Sequence, residues 1–188
     1  MNPVQLLYHF DRISDAPDAV PRLRQFILDL AVRGKLAEQD PRDEPASELL
    51  KRIQAEKSRL VKEGKIRKQQ SLLQIEPDQV PFDIPAKWEW TRLGEIGLTQ
   101  TGTTPSKNHG NHFGSHIPFI KPGDLYPNNV DYSNEGLSET GLKESGRIAS
   151  VGSLLMVCIG TIGKCQLIDR DCSFNQQINS LSPYGRLC

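Results

Sequence analysis

Apolar residues in the first third of the chain recur with helical spacing. Leu23, Phe26, Ile27, Leu30 and Ala31 fall at i, i+3, i+4, i+7 and i+8, along one side of an α-helix. Asp15 is placed to cap this helix with Pro17 in its first turn. Pro21 lies near the start, where proline costs least, and Gly34 is placed to stop it. The preceding Leu6, Leu7, Phe10 and Ile13 point to a further short helix. A polar turn then leads to a second helix over about 45–63, with apolar Ala46, Leu49, Leu50, Ile53, Leu60 and Val61. Lys57 interrupts that stripe at a core-phase position, and Gly64 ends the helix. Helices this short are marginal alone. Their apolar faces therefore need a partner: each other, the downstream domain or another protein.

The pattern changes after residue 70. Pro77, Pro81 and Pro85 remove backbone donors and block helix, so 71–87 is expected to be an extended linker. Past Trp88, short β-type segments alternate with Gly, Pro and Asn turns. They predict strands at 98–103, 117–120, 153–159, 163–168 and 177–181, with Thr161, Ile162 and Gly163 turning a hairpin. A single helical turn is expected over 92–96, and long polar loops over 104–116 and 121–150. The fold class is α+β: a helical arm (1–70), a proline-rich linker (71–87) and a mostly antiparallel β domain (88–188) expected to be incomplete at its C-terminus.

Composition narrows the class. Apolar residues make up 37% of 188, enough for a core, and charged residues 24%, which argues against wholesale disorder. The longest apolar run, 154–159, falls far short of the roughly 18 residues that span a membrane and fits a buried strand. No basic segment followed by an apolar stretch opens the chain, so a cytoplasmic setting is expected and the four cysteines are not read as a disulfide framework. The net charge of zero argues by itself against a free-standing nucleic-acid binder, but the average hides a split. Residues 22–70 carry 13 Lys+Arg against 8 Asp+Glu, and 71–188 carry 9 against 12; within 51–68 the balance is 8 against 2. Such a basic stripe suits either phosphate contact or a solvated helix face.

Catalytic motifs are thin. Gly160-Thr161-Ile162-Gly163-Lys164 has the look of a P-loop end, but the spacing fails, Cys165 replaces the hydroxyl residue, and the flanks read as strand–turn–strand. His109, His112 and His116 cluster in what reads as a polar, exposed loop, without a fourth ligand at zinc spacing. Cys158, Cys165 and Cys172 are seven apart, and Cys158 sits in an apolar run as a small core residue. Asp124, in Pro122-Gly123-Asp124-Leu125, suits a turn rather than acid–base work. No paired carboxylates or methyltransferase motifs stand out. The chain is expected to be non-catalytic, binding neither cofactor nor metal.

Seven segments, in order, carry a resemblance. They are LRQFILDLAVRGKL (23–36), DEPASELL (43–50), IPAKWEWTRLGEI (84–96), TGTTPS (101–106), IPFIKPGDL (117–125), IGTIGK (159–164) and NQQIN (175–179). Together they resemble the N-terminal part of the specificity subunit of type I restriction-modification systems, through its first target recognition domain. The resemblance implies a subunit that reads double-stranded DNA and directs a methyltransferase subunit and a motor-nuclease subunit to a bipartite target. S-adenosylmethionine, ATP and magnesium would reside on those partners. Such subunits carry two recognition domains with long helices between them. The chain is expected to supply one half-site's worth of reader, as a fragment, a truncated product or a half-subunit.

The candidate DNA surface that follows is Thr103, Thr104, Ser106, Lys107 and Asn108 in one loop, Lys121, Thr161 and Lys164 in two others, and Asn175, Gln176 and Gln177. Asn and Gln suit adenine, Lys suits guanine or phosphate, and hydroxyls and glycine N–H groups suit phosphates. Gln176 and Gln177 are expected on a strand, where at most one faces DNA. Lys51, Arg52 and Arg59 are the candidate phosphate contacts of the arm. Two other classes stay open. One is a protein-interaction module, or non-functional specificity fragment, that binds the methyltransferase subunit without reading DNA. The other is a fragment of a DNA-modifying enzyme, which S-adenosylmethionine binding would reveal.

Overall fold

The computed structural model describes residues 3–9, 17–70, 72–106, 108 and 110–185. The expected cap Asp15, the apolar Phe10 and Ile13, the DNA candidate Lys107 and His109 lie outside them. The chain divides into two compact units: Met1–Arg52 with Leu73–Trp90, and Ile53–Leu72 with Thr91–Cys188. Among the described residues no helix is long and apolar enough to cross a membrane.

The first unit holds α1 (Pro3–Tyr8), α2 (Ala19–Val32) and the opening of α3 (Ala46–Lys62). Both long helices stop as their glycines predict. Gly34 and Gly64 adopt φ of 64° and 70°. Each donates its N–H three residues back, to Ala31 and Val61, and the following lysine donates five back, to Leu30 and Leu60. That pattern satisfies carbonyls the helix end would otherwise leave bare. The start of α2 differs from expectation: Asp18, at φ 63°, precedes Ala19 and makes no side-chain cap. Of the predicted apolar stripe, Leu30 is buried, while Ile27, with its neighbours Leu28 and Val32, is exposed.

Among its described residues the proline-rich stretch is non-helical apart from a 3-10 turn at Pro77–Gln79, but its end is held in place. Lys87 Nζ donates to the carbonyls of Pro41 and Asp43, and Ala46 N–H donates to the Lys87 carbonyl at 2.9 Å. Trp88 Nε1 donates to Gln39 at 2.9 Å. Phe82 stacks edge-on against Trp90 with the Arg33 guanidinium over its ring. Residues 73–90 thus group with helical residues rather than standing apart as a spacer. Phe82, between the prolines, and Lys87, Trp88 and Trp90, just after them, supply contacts that composition alone does not reveal.

The second unit is built on three small sheets. Strands β1 (Gly97–Thr101), β9 (Ile178–Pro183), β6 (Leu154–Val157) and β7 (Cys165–Leu167) form an antiparallel sheet in the order β1-β9-β6-β7, preceded by the short helix α4 (Leu93–Ile96). β2 (Phe113–Ile120) pairs antiparallel with β5 (Gly136–Leu137) and parallel with β8 (Ser173–Phe174). β3 (Leu125–Tyr126) and β4 (Asn129–Val130) make a hairpin. The five predicted strands and the 161–163 turn are present, in a mostly antiparallel arrangement with one parallel pair. The region expected as one long loop, 121–150, instead holds β3, β4, β5 and helix α5 (Glu139–Ser145). Ser138 caps α5, its Oγ accepting from Gly141 N–H at 3.1 Å.

β2 shows how sequence becomes core. Phe119 and Ile120 are both 1% exposed, and they belong to different clusters. Adjacent strand residues face opposite ways, so a strand covered on both faces needs apolar residues in succession. Phe119 packs with Ile117 and Leu137; Ile120 packs with Leu155, Val157, Phe174 and Ile178.

Candidate nucleic-acid interface

Three loops of the second unit meet at the C-terminal end of β1. The Gly102 N–H donates to Ile178 O at 3.0 Å and the Thr103 N–H to Phe174 O at 3.1 Å, binding the 102–106 loop to the 174–178 turn. Thr104 Oγ1 donates to Gln176 Oε1 across the same junction. The Cys158 N–H donates to Gln177 O at 2.8 Å, bringing in the β6–β7 hairpin whose tip carries exposed Thr161. The sequence candidates Thr103, Thr104, Asn175, Gln176 and Gln177 are therefore brought together, with Thr161 on the adjoining hairpin.

Their roles separate by burial. Gln176 and Gln177 lie in a turn ahead of β9, not on a strand as expected. The cause is Asn175, which is 7% exposed: its Oδ1 accepts from Gln177 N–H at 3.1 Å and its Nδ2 donates to Gln177 Oε1 at 3.0 Å. Asn175 shapes the turn and Gln176 is the exposed amide at its crest. The two lysines are similarly engaged. Lys164 Nζ donates to Pro122 O at 2.8 Å and lies over the Tyr126 ring. Lys121 Nζ is ion-paired with Glu135 Oε2 at 2.5 Å.

Asp124 makes the turn its motif predicts. Its carboxylate accepts from the Lys121 N–H and from Asn134 Nδ2, both at 2.8 Å. Ser106 and Asn108 are exposed, and the Ser106 carbonyl lies 3.3 Å from His112 Nδ1. His112 departs from the exposed loop expected of it. It is 3% exposed, with Nε2 3.2 Å from Glu144 Oε2, and so joins the candidate loop to α5. No sequence signal separates this histidine from exposed His116. Among the described residues no group of three or more His, Cys, Asp or Glu is assembled for a metal. Residues 160–164 form the hairpin turn, with no helix following.

The arm candidates are all exposed and all ion-paired. Lys51 pairs with Glu48 at 2.7 Å and Arg52 with Glu44, in the first unit. Arg59, in the second, bridges Glu56 at 2.6 Å and Glu63 at 2.5 Å, and these carboxylates hold its guanidinium charge more firmly than usual. Glu95 is held below the ordinary carboxylate range by Gln54 and then Lys57, each hydrogen-bonded to it.

The chain is 64% identical over 77 residues to the type I restriction enzyme EcoEI specificity subunit of Escherichia coli, covering 41% of this chain and 13% of that protein. It is 55% identical over 95 residues to the EcoAI specificity subunit of the same organism, covering 50% and 16%. It thus spans less than a sixth of either relative. The crystal structure of the HsdS subunit from Thermoanaerobacter tengcongensis is similar over 73% of this chain and 31% of that one, with a TM-score of 0.46 and 17% identity. A family model described as the type I restriction modification DNA specificity domain matches residues 85–186, which contain all three converging loops. That match takes in more than half of the chain, and the chain belongs to the type I restriction-modification DNA specificity family.

Proposed function

We propose that this chain reads duplex DNA as part of a type I specificity subunit and performs no bond-making chemistry of its own. The observation that carries the reading is the convergence of the 102–106, 158–164 and 174–177 loops, through the Thr103–Phe174, Thr104–Gln176 and Cys158–Gln177 hydrogen bonds. It falls within the segment the specificity model matches. Gln176 carries an exposed amide held by Thr104, a geometry suited to a bidentate adenine contact in the major groove. Ser106, Asn108 and Thr161 supply further exposed polar groups. Asn175, Lys121 and Lys164 brace the loops.

The chain supplies one half of a bipartite reading. Methylation and cleavage belong to methyltransferase and motor-nuclease partners, which carry S-adenosylmethionine, ATP and magnesium, in the cytoplasm. The exposed Ile27, Leu28 and Val32 of α2 support a role for the first unit in holding a partner subunit.

The test is selection of duplexes from a random-sequence pool by the full chain. A recurrent motif is the expected result. Gln176→Ala relaxes the preference at one base pair, by about 1–3 kcal/mol of discrimination. Retention of DNA with no motif, or an unaltered preference in Gln176→Ala, contradicts the assignment.

A further inference from the structure

β1 is an edge strand, with no strand paired to its outer side among the described residues. Beside it lies a groove of about 510 Å³, lined among others by Lys65, Arg67, Gln69, Thr99, Gln100 and Arg147. All its lining residues belong to the second unit and none is acidic. Lys65 pairs with Glu63 at 2.8 Å. Arg67 and Arg147 are exposed, and among the described residues neither has an ion-pair partner. Arg147 also lines the neighbouring hollow, with Thr103 and Lys143, so the groove leads to the 102–106 loop. The one carboxylate lining that hollow, Glu144, faces His112 Nε2.

We propose that this groove is a phosphate track, holding the sugar–phosphate backbone of duplex DNA with Arg67 and Arg147 each on a phosphate. The inference rests on the DNA-reading assignment of the same unit and adds residues outside the candidate set. Charge decides the occupant. Residues 71–188 carry 9 Lys+Arg against 12 Asp+Glu, so Arg147 stands out there, and Arg67 brings a second guanidinium from the basic 51–68 segment to the same groove, whose lining holds no carboxylate. The neutral Gln69, Thr99 and Gln100 between them suit sugar and phosphate oxygens rather than a second cluster of charge. Lys51, Arg52 and Arg59 differ, since each must exchange a carboxylate for a phosphate and gains less from counterion release.

The experiment is a salt titration of duplex binding by the full chain, using the random-sequence pool. Two phosphate contacts at about 0.9 each make the slope of log K against log salt shallower by about 1.8 in the double variant Arg67→Gln/Arg147→Gln. Arg67→Lys/Arg147→Lys keeps most of the slope. Gln176→Ala keeps the slope while its base preference changes. Both arginines are exposed, so an unaltered circular dichroism spectrum and thermal midpoint are expected and are checked first. A wild-type slope in the folded Gln variant overturns the track, and if the wild type still enriches a motif the DNA-reading assignment stands. A shallower slope with no motif in any protein supports the track and overturns the reading. A wild-type chain that binds no duplex at any salt overturns both.

Discussion

Gly102 leaves no space for a side chain. A Cβ there would sit 2.1 Å from Asn175 O and 2.4 Å from Phe174 O, so the end of β1 and the 174–178 turn approach backbone to backbone. Gly102→Ala must push the two loops apart. It is expected to cost about 1–3 kcal/mol, as overpacking does, and to weaken base preference along with stability. Gly123→Ala, where a Cβ meets nothing within 4 Å, is the neutral control. Equal urea midpoints for the two variants would remove the close approach from the account. The cysteines offer a second residue-level test. Burial pushes the Cys172 thiol up to about 12, so it stays protonated and unreactive, whereas Cys165 is exposed. Peptide mapping after brief alkylation of the native chain at neutral pH should find label on Cys165 well before Cys172; comparable labelling would contradict the burial. Cys158, read from its apolar run as core, is half-buried, and its Sγ lies 3.6 Å from Met156 O.

At the scale of elements, Lys57 shows what a broken stripe means. It occupies a core-phase position of α3 and is ion-paired there with Glu95. Its ammonium donates to Gly94 O and Glu95 Oε2, both at 3.1 Å, and lies over the Tyr184 ring. The element it braces is α4. Because Gln54 and Lys57 depress the Glu95 pKa, the folded state favours the carboxylate. Its contribution is fully present above the ordinary value of 4.5 and is lost as pH falls below that through the depressed folded value. Glu95→Gln is expected to lower stability at neutral pH and to flatten its acid dependence in that window. An acid limb as steep as the wild type's, in urea titrations across pH, would contradict the assignment. Helix ends and the longer strands were legible because their signals are local: Gly34 and Gly64 after an apolar period, and the apolar run in β6. β3, β4, β5 and β8 have two residues each, too few to show a period; β5 and β8 form because β2 supplies their pairing partner, and β3 and β4 because they pair with each other.

Over the whole molecule, the order of motifs identified the family, and the specificity model matches the segment that holds most of them. The polar residues of those motifs were legible as a group but not in their division of labour. Asn175, Gln176 and Gln177 look alike in sequence, yet one is buried, one exposed and one half-buried. Lys121 and Lys164, candidate DNA contacts from the sequence, are each engaged by a neighbour distant in the chain. Arg67 and Arg147 carried no motif at all, and they line one groove because the tail of α3 and the segment after α5 both lie beside β1. Local sequence pattern specified the two long helices, their stops, the longer strands and the family, since periodicity and turn chemistry act over a few residues. Which polar groups face outward and which cations stay unpaired was settled by the tertiary fold, because those depend on hydrogen bonds and packing between segments that the chain order keeps far apart.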